Sequence, residues 1–231
     1  MSECGSEPGN PLLAAFGRAM AAGGDLEEAR AELVAEYAFG IPTRDALAVI
    51  AQHAPSGVVE IGAGRGYWAH LLDADGVDVA AFDLAPPPSG GNQWFVDGGT
   101  FHEVRHGDAS SVVAHADRTL LLVWPTRDEV WAAEALATYQ QAGGQCVVYV
   151  GEPPGGRTGD DVFHAMLGEL ETCAQCRYGI TTAPCICEVE RSWERIETLE
   201  LPRWPGQLDS LSVHRRARPE ATRRWRRMRS R

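Results

Sequence analysis

The 231-residue sequence contains no lysine; all 21 of its basic residues are arginine. That excludes a Schiff-base or proton-abstracting lysine. No G-K-[ST] sequence occurs, so a P-loop that cradles phosphates is also excluded. No apolar run approaches the roughly 20 residues needed to span a bilayer. The amino-terminal stretch lacks the basic start and long apolar core of a secretory signal. The expectation is a cytoplasmic protein without membrane contact. Cysteine is scarce outside one short stretch: four of the six lie between Cys173 and Cys187.

Charge is present in excess of one sign but unevenly placed. The formal net charge is −11, yet nine arginines and one glutamate fall between Arg215 and Arg231. Without them the chain has 12 basic and 31 acidic residues, a net charge of −19. An acidic body repels the phosphates of nucleic acids. Contact with nucleic acid is therefore confined to the Arg-rich tail, residues 216–231, as a candidate. The alternative is a solvated end that folds back on its own acidic body.

The order of elements points to one domain, over residues 25–215. Residues 1–24, rich in Gly, Ala, Ser and Pro, read as a flexible segment with at most one short helix around Leu12 to Ala22. Two helices follow, the first capped by Asp25 and the second by Thr43 after Pro42. Strand and helix then alternate. "GVVEIG", "VDVAAFDL", "HEVRHGD", "TLLLVW" and "QCVVYVG" read as strands. "GYWAHLLDAD", "SSVVAHA", "RDEVWAAEALATYQQ" and "GDDVFHAMLGELE" read as helices. This alternation predicts an α/β fold, a mostly parallel sheet with helices on both faces. "SWERIETLEL" and "DSLSVHRR", joined without a helix, predict an antiparallel edge.

The stretch "VVEIGAGRGYW", Val58 to Trp68, follows the first strand. Its glycines, Gly62, Gly64 and Gly66, form G-x-G-x-G, and Tyr67 stands where a dinucleotide fold needs its third glycine. This stretch resembles the first motif of class I S-adenosylmethionine-dependent methyltransferases, and the resemblance extends from about Tyr37 to Arg215. It implies a Rossmann-like, mostly parallel seven-stranded sheet with an antiparallel edge strand, and S-adenosylmethionine as cofactor. It also implies roles by position. Glu60 would face the methionyl ammonium. Asp83, ending "VAAFDL", would hold the ribose hydroxyls, because a carboxylate can accept from two vicinal hydroxyls. In "HGDAS", Asp108 would accept from the adenine amino group and Ala109 would offer backbone. Ala63, Tyr67, Trp68, Leu84 and Trp124 complete the implied cofactor pocket. Taken singly, each residue has a plainer reading: Asp83 as a cap, Gly107-Asp108 as a turn, the aromatics as core.

After the fourth strand, amino-group methyltransferases of that family carry Asn/Asp-Pro-Pro-aromatic. Here Trp124-Pro125-Thr126-Arg127 stands instead, which argues against an amine acceptor. This stretch and "YVGE" resemble a bacterial subgroup of the family with WPP- and YVGE-like motifs. The implied activity is methyl transfer to an acceptor that the resemblance does not name, with a small molecule favoured. Glu152 is the favoured base, ahead of Asp160, Asp161 and His164, which suit a helix start or a helix face. Cys173, Cys176, Cys185 and Cys187 form C-x2-C-x8-C-x-C in an apparent insertion, residues 173–187, and point to a structural zinc site. The alternative is a set of free or redox-active thiols. A different functional class is also open: a non-catalytic cofactor-binding or zinc-containing interaction module.

Overall fold

The computed structural model describes residues 9–89, 91–95, 98–170 and 192–217 of the chain. The four clustered cysteines, and the arginine tail beyond Ala217, lie outside the described residues.

Local chemistry starts each of the first three helices. Helix α1, Pro11–Ala22, has Pro11 in its first turn, and the Asn10 side chain accepts from the Leu13 N–H at 3.0 Å. Helix α2, Leu26–Glu36, begins where Asp25 accepts from the N–H groups of Glu27 and Glu28. Helix α3, Arg44–His53, begins where the Thr43 hydroxyl accepts from Ala46 N–H. Both predicted caps are present.

Strands and helices then alternate: β1 (Val58–Ile61), α4 (Tyr67–Ala74), β2 (Val79–Asp83), β3 (Val104–His106), a 3-10 helix (Ala109–His115), β4 (Thr119–Val123), α5 (Trp131–Gln141), β5 (Cys146–Gly151), α6 (Asp161–Met166), β6 (Trp193–Glu200) and β7 (Ser210–Arg216). They form one seven-stranded sheet in the order β3-β2-β1-β4-β5-β7-β6. β1 to β5 pair in parallel, while β7 runs antiparallel to both β5 and β6. This is the Rossmann-like, mostly parallel sheet that the sequence resemblance implies. The reversed strand is β7, one place in from the edge; β6 is the edge strand and is parallel to the rest. Helix α6 is shorter than its pattern suggests. Gly168, at φ +76°, takes the left-handed cap, with Gly168 N–H bonded to the Ala165 carbonyl and Glu169 N–H to that of His164.

Alternate strand residues face opposite layers. Val58, Ala81, Leu121, Val148, Leu211 and Val213 pack with Leu12 of α1, Leu47 and Ile50 of α3 and Trp68 and Leu72 of α4. Val59, Ile61, Leu120, Leu122 and Val147 pack with Val112 of the 3-10 helix, Leu136 and Tyr139 of α5 and Phe163 of α6. Switching from hydrophobic neighbours to a carboxylate at Glu60 therefore places a charge-bearing group inside the first of these layers.

The segment expected to be flexible up to residue 24 is folded from Asn10 onward. Leu12 is buried, and Phe16 packs edge-on against Trp204 at 4.9 Å. Asn10 itself is buried, donating to the Pro42 carbonyl at 2.8 Å and accepting from the Tyr67 hydroxyl at 3.0 Å. These contacts join α1 to the segments entering α3 and α4. Asn10→Ala removes all of them and the α1 cap, and should lower unfolding stability by about 2 kcal/mol. Urea denaturation compared with wild type measures this; an unchanged midpoint would show α1 to be energetically undocked.

Candidate functional site

The carboxyl ends of β1 to β4 open into a cavity of about 1000 Å³. In open α/β sheets this edge, where strand order reverses, is where ligands bind. Gly62, Ala63 and Gly64 of the G-x-G-x-G loop line the cavity; Gly66 does not, and instead caps α4 at φ +70°. Gly62 and Gly64 have φ of +75° and +55°, conformations that side chains disfavour. A Cβ on Gly62 would lie 2.6 Å from the Trp131 ring, and one on Gly64 would lie 2.5 Å from Phe95. The glycines thus serve the backbone turn and also let two aromatic rings rest on the loop.

Glu60 is 1% exposed, at the centre of the sheet, and lines the cavity. Its Oε2 has no hydrogen-bond partner. Burial first, and the Asp83 carboxylate second, push its pKa up to about 8; a backbone hydrogen bond from Ala69 opposes them only in part. Asp83 ends β2 as predicted. Its Oδ2 accepts from Gly64 N–H at 2.8 Å and its Oδ1 from Ala85 N–H at 2.9 Å. One carboxylate therefore fixes the glycine loop and the loop after β2, where Asn92 Nδ2 also donates to Oδ1 at 3.5 Å, and it lines the cavity. Asp108 lines the cavity and also caps the 3-10 helix, accepting from Ser110 N–H at 2.8 Å and from its hydroxyl at 2.6 Å. These bonds from Ser110 lower its pKa. One oxygen, Oδ1, makes both bonds.

Ala63, Trp68, Leu84, Ala109 and Trp124 also line the cavity. Tyr67 does not: its hydroxyl turns away, to Asn10 and the Leu12 N–H. The reason is helical geometry. Tyr67 and Trp68 are successive residues of α4 and point in different directions.

Glu152 also departs from expectation. It is buried but does not line the cavity. Its Oε2 accepts from Arg157 N–H at 2.6 Å, its Oε1 from Leu208 N–H at 3.0 Å, so it clamps two loops. Of the other proposed bases, Asp160 caps α6 through Phe163 N–H, Asp161 lies in the first turn of that helix, and His164 is buried against the Thr158 carbonyl and Glu169. None of the three lines the cavity. The clustered cysteines lie outside the described residues, among which no group of three or more His, Cys, Asp or Glu side chains is placed to hold a metal.

Sequence reasoning missed three contributors. Asn92 accepts from the N–H groups of Trp94 and Phe95 at 3.0 and 3.1 Å, setting both rings at the cavity wall. An Asn in a Pro/Gly loop is the one signal that could have found it. Asp209, buried, accepts from the Trp124 indole at 2.9 Å, and burial raises its pKa to about 6. Arg30 of α2 lies 5.6 Å from the Trp124 ring and 5.9 Å from that of Phe39. Phe39 and Trp124 stack at 5.1 Å. Trp124 is held at φ +49°, a left-handed conformation costly for a bulky residue. Its ring position is thus fixed by Asp209, Phe39 and Arg30 together.

No family model matches the chain, and no curated protein sequence matches it. Solved structures similar to it include a 1,6-didemethyltoxoflavin-N1-methyltransferase from Burkholderia thailandensis with bound S-adenosylhomocysteine. That match has 17% identity and a TM-score of 0.48, covering 93% of each chain. A magnesium protoporphyrin IX methyltransferase from Synechocystis PCC 6803 with bound SAM has 10% identity and a TM-score of 0.44, over 92% of this chain and 87% of that one. The N-methyltransferase NodS from Bradyrhizobium japonicum WM9 has 12% identity and a TM-score of 0.40, over 76% and 96%.

The clamp role of Glu152 makes its own prediction. Glu152→Gln keeps the shape but turns a donor toward one backbone N–H, and should destabilise the fold by about 2–3 kcal/mol. Chemical denaturation reads this; wild-type stability would return Glu152 to the list of candidate bases.

Proposed function

We propose that the protein is a class I S-adenosylmethionine-dependent methyltransferase acting on a small molecule. The observation that carries this reading is Glu60: a buried carboxylate with an unpartnered oxygen, facing a cavity beside a glycine loop. Such a group calls for a cationic or hydrogen-bond-donating ligand, and an amino-acid ammonium is both. Asp83 supports the reading as a carboxylate lining the cavity at the end of β2, a group suited to accept from ribose hydroxyls. Asp108 and Ala109 suit an adenine edge at the far side of the cavity.

The cofactor, when bound, supplies an electrophilic methyl on a sulfonium. The residues of this chain supply binding and alignment. Glu60 and Asp83 fix the two ends of the amino-acid and ribose parts. Trp68 and Trp124 close the apolar walls and exclude water. With Glu152 committed to two backbone N–H groups, alignment is the main contribution of the acceptor side. The acceptor then needs an available lone pair of its own on arrival.

Calorimetric titration of the purified full chain with S-adenosylmethionine and S-adenosylhomocysteine tests the reading. Both should bind with dissociation constants of about micromolar order, and NAD should not. Asp83→Asn should weaken both by about tenfold. Absence of binding to a folded sample would remove the methyltransferase reading and favour an interaction module.

The raised pKa of Glu60 gives the binding a pH dependence. Below about pH 8 the free protein holds a proton on Glu60, and that proton must leave for the carboxylate to face an ammonium. Affinity should therefore rise as pH climbs from about 6 toward 8, with proton release on binding. Glu60→Gln should flatten the rise. A pH-independent wild-type affinity would separate Glu60 from the cofactor.

Cytoplasmic location, a zinc site at Cys173, Cys176, Cys185 and Cys187, and nucleic-acid contact through the arginine tail stand as proposals from sequence. Among the described residues, no helix is long and apolar enough to cross a membrane. Metal analysis should find about one zinc per chain if the four thiols close a tetrahedral site.

A further inference from the structure

The cavity's acidic lining residues Glu60, Asp83 and Asp108 lie at the ends of β1, β2 and β3, Glu134 lies in the first turn of α5, which packs on the 3-10 helix, and Glu129 lies in the loop between β4 and α5. Its two basic residues, Arg127 and Arg157, follow β4 and β5. A volume of about 1000 Å³ is at the upper end for one ligand, and leaves space beyond a cofactor on the β4–β5 side.

The two arginines differ. Arg127 is paired with Asp128 at 3.3 Å. Arg157 makes no ion pair among the described residues, although Glu152 and Asp209 are close by. The Glu152 oxygens are taken by backbone N–H groups and an Asp209 oxygen by the Trp124 indole. The Arg157 backbone is held at 2.6 Å by buried Glu152, and the next residue, Thr158, is bridged to Thr126. A guanidinium on so well-anchored a loop, within electrostatic reach of Asp209 but in no ion pair among the described residues, is available to a ligand anion.

The indole rings of Trp94 and Trp124 line the same cavity. Trp124 is fixed in place, and Trp94 is 49% exposed at the cavity with only an edge-on contact to Phe39 at 5.4 Å. An aromatic ring left open beside a cavity suits a stacking ligand.

We propose that the acceptor is a planar aromatic acid, its anionic group held by Arg157 and its ring system against Trp94 and Trp124. Arg157 is then the residue that sets acceptor specificity. This rests on the methyltransferase reading for the word acceptor, but the anion site itself does not.

The test uses two fluorescent probes with the same ring skeleton: 8-anilinonaphthalene-1-sulfonate, and N-phenyl-1-naphthylamine, which lacks the sulfonate. Both are titrated into the full chain with and without saturating S-adenosylhomocysteine. The sulfonate should bind about tenfold more tightly than the neutral dye, against the order that a plain hydrophobic surface gives. Arg157→Ala should abolish that preference and Arg157→Lys should restore part of it. Naphthalene-1-sulfonate should displace the dye and cyclohexanesulfonate should not. Equal binding of the two dyes, an unchanged preference in Arg157→Ala, or displacement by both sulfonates would overturn the proposal. The dye comparison on wild type decides the charge preference even if a variant fails to fold. If S-adenosylhomocysteine does not bind while the Arg157-dependent preference persists, the methyltransferase reading falls and the anion site stands. If it binds and the preference is absent, the methyltransferase reading survives and the acceptor class is wrong.

Discussion

The Asp83 carboxylate is the tie on which the site depends. It reaches from the end of β2 to the Gly64 N–H in the loop after β1 and to the Ala85 N–H in its own loop. Parallel pairing of β1 and β2 brings those groups within reach, with Ile61 beside Phe82. The same pairing lets the Phe82 carbonyl accept from both Gly62 and Ala63. Without these bonds the glycine loop would carry orphaned donors and the cavity would lose its floor.

That arrangement has an electrostatic consequence. Placing Asp83 near Glu60 while burying Glu60 makes ionisation of the latter unfavourable. A structural protein of this architecture would gain by replacing Glu60 with an apolar residue, as its neighbours Val58, Val59 and Ile61 show. Glu60 lines the cavity with one oxygen unpartnered, and its unfavourable burial is relieved by protonation or by a ligand that donates to it.

The opposite end of the cavity is organised by contacts between distant segments. Arg30 from α2, Phe39 ahead of α3, Trp124 after β4 and Asp209 before β7 meet around one indole. Glu152 holds the loops of Arg157 and Leu208 nearby. The end of the cavity at β1 to β3 is built from the loops that follow those strands, and the other end from segments far apart in the sequence.

Glu60, Asp83 and Asp108 were singled out by the family resemblance; periodicity and turn chemistry made the strands, the caps at Asp25 and Thr43 and the glycine loop legible, because each is a local signal. The length of α6 was not, since Gly168 ends it through a cap that outweighs the apolar pattern. Nor was the docking of α1, which depends on Asn10 meeting Tyr67 and Pro42. Glu152 appeared unexplained by its neighbours because its partners include Leu208, 56 residues away. Trp124 finds Asp209 at a separation of 85. The elements and their order follow from interactions within a few positions of one another. Only the tertiary structure decided which carboxylates face the cavity and which are spent on backbone donors, because strand order, and not spacing along the chain, selects the partners.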